Sequence, residues 1–205
     1  MLLSQNSKLK KDGIFNFTLP AYKSSTGMIT CPSAKDCIVN CYARQGCYSF
    51  SNVRAKHEAN LAASLRDDFG ETMIAEIIER RCSIIRIHDA GDMYSREYWN
   101  KWRAIIEALP HVQFYSYTKE VEMFNVEKSL GNIPSNFSVI YSFGGKNDVL
   151  INELTDKHAK CFLNEMPNSY INASDSDLNA LTDNINVGLL YHGTKNATKN
   201  SFIKG

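Results

Sequence analysis

The chain reads as an α/β fold: one domain, residues 1–205, of about six mainly parallel strands alternating with helices, as an incomplete βα barrel or an open parallel sheet. Three observations predict this. Short β-branched or aromatic runs alternate with stretches of helical periodicity along the chain. The 205 residues, 43% of them hydrophobic, suffice for one sizeable core but fall short of the roughly 250 residues of a closed eight-stranded barrel. Polar, titratable and glycine residues gather just after the strand-like runs, where parallel α/β architectures carry their chemistry.

Residues 14–19 make the first strand, stopped by Pro20, and the polar turn at 23–27 leads into a loop rich in cysteine. Val53, His57, Leu61 and Leu65 then recur at helical spacing, and Met73, Ile74, Ile77 and Ile78 repeat the pattern after Gly70. The β-branched run 84–87 stops at His88-Asp89-Ala90-Gly91-Asp92. Ser95 is suited to cap the next helix, whose apolar face is Tyr98, Trp102, Ile105 and Leu109. A strand at 112–117, a helix at about 121–130 and a strand at 137–143 follow, the last ended by Gly144-Gly145. A short helix over 149–154 leads to a strand near 161–163, and 187–191 makes the final strand. Residues 193–205 read as a polar, mildly basic tail.

With 23 basic and 22 acidic residues the net charge is +1, and the basic residues are scattered, so charge does not indicate nucleic acid as a partner. Apolar runs such as Val187-Gly188-Leu189-Leu190-Tyr191 are strand length, which excludes a spanning helix there and implies no membrane. The first residues lack the apolar core of a leader, so the expected setting is the reducing cytoplasm, with free thiols rather than disulfides.

Against that background the thiols carry the strongest chemical signal. Cys31, Cys37 and Cys41 fall within eleven residues, and Cys47 follows, so that 31–47 reads as a metal loop. Zinc modules usually draw thiolates from tight C-x2-C pairs, and this loop has none. The uneven spacing of five, three and five suits an iron–sulfur cluster, whose ligands sit on separate corners of a wider object. Zinc, and a set of buried thiols without metal, stand as the alternatives.

If the strands run parallel, their carboxyl ends share one rim with the cysteine loop. Cofactor- or substrate-binding candidates there are His88, Asp89, Gly91, Asp92, Tyr117, Lys119, Ser142 and His192. Two carboxylates beside an imidazole can grip an amine, a ribose or a metal, and glycine lets backbone approach a ligand. Asp92 is expected to be a rim carboxylate whose loss leaves the fold intact. Each has a structural reading too: His88 and Asp89 can pair with each other or cap the next helix, Lys119 can be a solvated charge and His192 a satisfied polar residue. Tyr115 and Tyr117 are expected on opposite faces of their strand, one of them in the core.

Taken together, Cys31-Pro-x-Ala-x-x-Cys37-x-x-x-Cys41-Tyr-Ala, Gly46 with Tyr48 and Asn52-Val53, Ile85-Arg-Ile-His-Asp-x-Gly91-Asp92-x-Tyr94-Ser95 and Phe114-Tyr-x-Tyr-Thr-Lys119 resemble the phage gene-product-eighty-eight family over the first two thirds of the chain. The resemblance implies a phage or mobile-element protein in the host cytoplasm, with Cys31, Cys37 and Cys41 as ligands and no counterpart of Cys47. Relatives carry further close-set cysteines in the C-terminal third, whereas 172–188 has none here and Cys161 alone lies in that region.

In outline the layout also resembles radical S-adenosylmethionine enzymes, which have a partial barrel, three cysteines after the first strand and a glycine-acid motif after the second. That likeness implies a 4Fe-4S cluster with one iron open, S-adenosylmethionine as cofactor, and Gly91-Asp92 in the glycine-acid position. The spacing differs from the usual C-x3-C-x2-C. Two functions therefore compete: an iron–sulfur enzyme of this kind of unknown substrate, and a non-catalytic phage protein whose metal loop is structural and whose rim or surface binds a host or phage partner, with a protein or a small molecule as ligand.

Overall fold

The structure, a computed structural model, describes residues 1–163 and 165–191 together with the backbone of 203–204. The elements run α1 (Ser7–Lys11), β1 (Ile14–Phe17), α2 (Ser51–Leu65), α3 (Phe69–Glu79), β2 (Ile84–Ile87), α4 (Arg96–Ala108), β3 (Gln113–Thr118), α5 (Val121–Ser129), β4 (Phe137–Ser142), β5 (His158–Phe162), β6 (Ile171–Asn172), β7 (Asn186–Leu190) and β8 (Ile203–Lys204). Every pairing between these strands is parallel, in the order β1-β2-β3-β4-β5-β7-β6, with β8 beside the end of β5, and only isolated bridges such as Ser4 to Asn16 are antiparallel among the described residues. The sheet curls into a half-barrel. Six strands were expected; the short β6 and β8 carry too little sequence signal to be read in advance.

Alternation along the strands sorts side chains onto two faces. Outward go Phe17, Ile85, Ile87, Phe114, Val139 and Tyr141, against the apolar faces of α3, α4 and α5. The stripe Tyr98, Trp102, Ile105 and Leu109 is buried, and the Ser95 side chain accepts from Tyr98 N at 3.1 Å, capping α4 as its sequence requires. The inner face holds a smaller cluster of Ile14, Tyr115, Ile140, Ala159 and Val187, covered by Leu9 of α1 and by Ala180 of a 3₁₀ turn at Asp177–Leu181.

Several expectations are corrected. On α2 the buried face is His57, Asn60, Leu61 and Ser64, whereas Leu65 is exposed, because Asn60 donates to the carbonyls of Thr18 and Leu2 and turns that polar side inward. On α3, Ile78 is exposed and Phe69 completes the apolar face. The helix expected at 149–154 is a single 3₁₀ turn, Asp148–Leu150. The fifth strand begins at His158, three residues before the expected 161, because its partner Tyr141 sets the register. Tyr115 and Tyr117 lie on one face, ring centroids 6.2 Å apart, since residues two apart in a strand point the same way.

Among the described residues no helix is long and apolar enough to cross a membrane.

Candidate functional site

Beyond β1 the chain crosses the mouth of the half-barrel. Leu19 N donates to Ala90 O and Asp92 N to Thr30 O, tying this crossing to the segment after β2. Gly91 permits the contact: a Cβ there would stand 2.5 Å from Leu19 Cβ, and its φ of +85° already favours glycine. Further along, Lys35 N and Cys37 N both donate to Gly144 O, Lys146 N donates to Ser33 O, and Glu120 accepts from Ser33 N and Oγ. The cysteine loop is thereby fastened to the carboxyl ends of β2, β3 and β4.

Beneath it lies a cavity of about 150 Å³. Cys31, Cys37 and Cys41 line it, as do His88, Asp89, Gly91, Asp92, Tyr117, Lys119 and Ser142. Cys47 is exposed and does not line it. His192 lies outside the described residues, as does the tail apart from the backbone of 203–204. Arg86, Phe143, Cys161, Leu189 and Tyr191 complete much of the wall without having been read as site residues. Their signal was positional: Arg86, Cys161 and Leu189 occupy inward alternate positions near strand ends.

Sharing a cavity does not give these side chains the same work. Asp92 is buried, and Oδ1 accepts from Met93 N and Thr118 Oγ1 while Oδ2 accepts from Lys119 N, so the acid clasps the end of β2 to the end of β3. Burial raises its pKa, against those hydrogen bonds. By alternation His88 belongs on the inner face with Arg86, but its left-handed backbone, φ 69°, turns the ring outward. There Nε2 meets Tyr98 Oη at 2.9 Å and the ring packs against Phe17. Burial pushes this imidazole down to about 3, which keeps it neutral. Asp89 accepts from Tyr48 Oη and faces Arg86, and its carbonyl accepts from Tyr42 Oη.

Lys119 reaches Ser142 Oγ at 2.9 Å. Burial disfavours its charge, but Asp92 and the thiols of Cys37, Cys161 and Cys31, wherever they ionise, offset this and raise its pKa, so it stays a cation. Burial in turn pushes the Cys31 thiol up to about 12 and raises those of Cys41 and Cys161. All six cysteines are free thiols. Among the described residues, no group of three His, Cys, Asp or Glu side chains is arranged to hold a metal ion.

Deeper in the wall, Arg86 Nη1 pairs with Asp177 at 2.8 Å and its guanidinium lies 4.9 Å from the centre of the Tyr117 ring. Arg86 Nε, Tyr117 Oη and Tyr191 Oη are buried without a hydrogen-bond partner. Among the described residues seven buried side-chain atoms lack a partner, four of them on residues that line this cavity, His88 Nδ1 being the fourth, and a bound polar molecule would satisfy those that face it.

A family model described as Gene product 88 matches residues 1–204. The chain belongs to the phage gene product 88 family. No curated protein and no solved structure matches it. Membership extends the likeness seen in the first two thirds of the sequence through the C-terminal strands.

Proposed function

We propose that this gene product 88 protein is an iron–sulfur protein whose cluster is held by Cys31, Cys37 and Cys41, and which binds a small molecule, with S-adenosylmethionine as cofactor, in the cavity beneath. One observation carries the reading: three thiols from a single loop face one cavity at the carboxyl ends of a parallel half-barrel, beside buried polar atoms that lack partners. Soft thiolates select such clusters, and their ligands tolerate the long, uneven spacing of this loop. When bound, the cluster supplies one-electron chemistry. Lys119 balances the charge of the thiolates, Ser142 orients Lys119, and Arg86 Nε and Tyr117 Oη hydrogen-bond the small molecule. Cluster assembly displaces the thiol protons that burial now retains.

Anaerobic reconstitution with iron and sulfide, followed by metal analysis and visible absorbance, tests this. About four iron atoms per chain are expected for the wild type and for Cys47→Ser, with loss of iron in Cys31→Ser, Cys37→Ser and Cys41→Ser. Zinc in place of iron, or retention by those three variants, would sink the cluster. Val39 and Phe50, 74% and 60% exposed on the same stretch, favour a second reading in which the loop is structural and its outer side meets a protein. Absence of calorimetric heat when S-adenosylmethionine is added to cluster-loaded protein would select that reading.

A further inference from the structure

A second, more polar pocket of about 340 Å³ adjoins the cysteine cavity. We propose that it is a phosphate-binding subsite, and that the small molecule entering the cysteine cavity carries a phosphate group. Lys23, Arg44 and Arg54 line it, facing one carboxylate, Glu58, whose Oε1 accepts from Ser25 N at 2.7 Å. Lys23 and Arg54 have no ion-pair partner among the described residues. Arg44 uses Nη1 on the Ile38 carbonyl, which leaves the remainder of its planar donor fork for an anion. His57 forms the buried back wall, kept neutral by burial, while the Ser49 hydroxyl is committed to the Gly46 carbonyl.

A 15-residue helix adds to these charges. α2 begins between the lining residues Ser49 and Arg54, and no side chain caps it at Phe50. Its first N–H groups, on residues that do not themselves line the pocket, add a partial positive charge nearby that favours an anion on the three cations. The chain as a whole is nearly neutral, so the local excess of cations is a property of this pocket.

Both hollows share Ala21 and Ala43 as lining residues. A ligand with its phosphate on Arg54 would reach across Ala21 and Ala43 to enter the cysteine cavity. The phosphate site rests on its own geometry; the link to the cysteine cavity rests on the function proposed above.

The probes are inorganic phosphate, phenyl phosphate and a short single-stranded oligonucleotide, titrated by calorimetry into the metal-free, reduced protein. Both small phosphates should bind, and Arg44→Gln and Arg54→Gln should each weaken them roughly five- to tenfold, the loss of one charge-assisted contact at a partly solvated site. Arg54→Gln should retain the wild-type melting temperature and iron content. Phenyl phosphate, unlike inorganic phosphate, should also slow iodoacetamide alkylation of Cys37 and Cys41 in proportion to occupancy. No binding of either small phosphate, or binding of the oligonucleotide alone, overturns the subsite. Phosphate binding without thiol protection overturns its link to the cavity. Failure of iron loading with phosphate binding intact removes the cluster and leaves the subsite.

Discussion

Asp92 lies where the sequence suggests a ligand-gripping carboxylate, and its three hydrogen bonds hold two strand ends together. Asp92→Ala would leave three buried or half-buried donors without their acceptor, so it should cost about 2–4 kcal/mol in urea unfolding. Asp92→Asn, which keeps one acceptor, should cost less; equal stability of all three proteins would return the acid to ligand binding. Glu120 gives a pH test. Burial, then the nearby Asp92, pushes its carboxyl from 4.5 up to about 7. Between those values the folded protein keeps a proton that the unfolded chain releases, so this group makes stability fall as pH rises through the window. Asp177 has the opposite slope: burial works against its charge, but Arg86 and Lys8 hold its pKa low, and its contribution is lost in acid. The comparison that isolates Glu120 is therefore with Glu120→Gln, whose stability should gain on the wild type steadily from pH 4.5 to pH 7. A constant difference would show that the carboxyl does not titrate there. What the sequence conveyed at this scale was position: rim residues could be named from strand ends, whereas the turn that swings His88 outward depends on one left-handed backbone angle that neighbouring sequence does not reveal.

Elements were legible wherever one physical signal was strong. α4 has both a cap and an unbroken apolar stripe, and Ser95→Ala should cost about 1 kcal/mol in thermal or urea unfolding, with retention of full stability showing that Tyr98 N finds another acceptor. On α2 the expected face is half right, His57 and Leu61 being buried, and it extends over Asn60 and Ser64, polar residues whose distant partners, the Thr18 carbonyl and the Tyr94 hydroxyl, exist only in the fold. α1 and the 3₁₀ turn Asp177–Leu181 are too short for periodicity to show. Both depend on a buried network in which Asp177 binds Arg86, Tyr115 and Lys8 while Asp12 accepts from Ser176 Oγ and Asp177 N. In the cysteine loop, clustering identified the element, but its course over β3 and β4 is set by the carbonyl of Gly144 and the N–H of Lys146, far away in sequence. That course brings Cys161 into the site and leaves Cys47 outside.

Across the whole molecule, support for the sheet is uneven. β1 to β4 are backed by α3, α4 and α5 through a cluster that includes Trp99, Trp102, Phe114 and Phe124. After β4 the described connections contain only 3₁₀ turns and loops, β4 and β5 pair over two residues, and the inner cluster there is mostly alanine and valine. Fewer buried apolar contacts mean that the C-terminal strands should open at lower free energy than the rest. In native-state hydrogen exchange, the amides of Ile85 and Tyr115 should exchange only through global unfolding, and those of Val187 and Leu189 through a smaller opening. Asp177 joins the two parts, since its carboxylate meets both Arg86 of β2 and Tyr115 of β3. Asp177→Asn should therefore lower protection in β5 and β7 more than in β2 and β3, widening the gap, because Arg86 then loses its closer carboxylate partner. Cys161, Leu189 and Tyr191 place the less supported part on one wall of the cavity, so a ligand bound there should narrow the gap again. Uniform protection across all the strands, in the wild type and in Asp177→Asn alike, would mean that the half-barrel opens as one unit and that the cavity wall has no separate motion for a ligand to arrest.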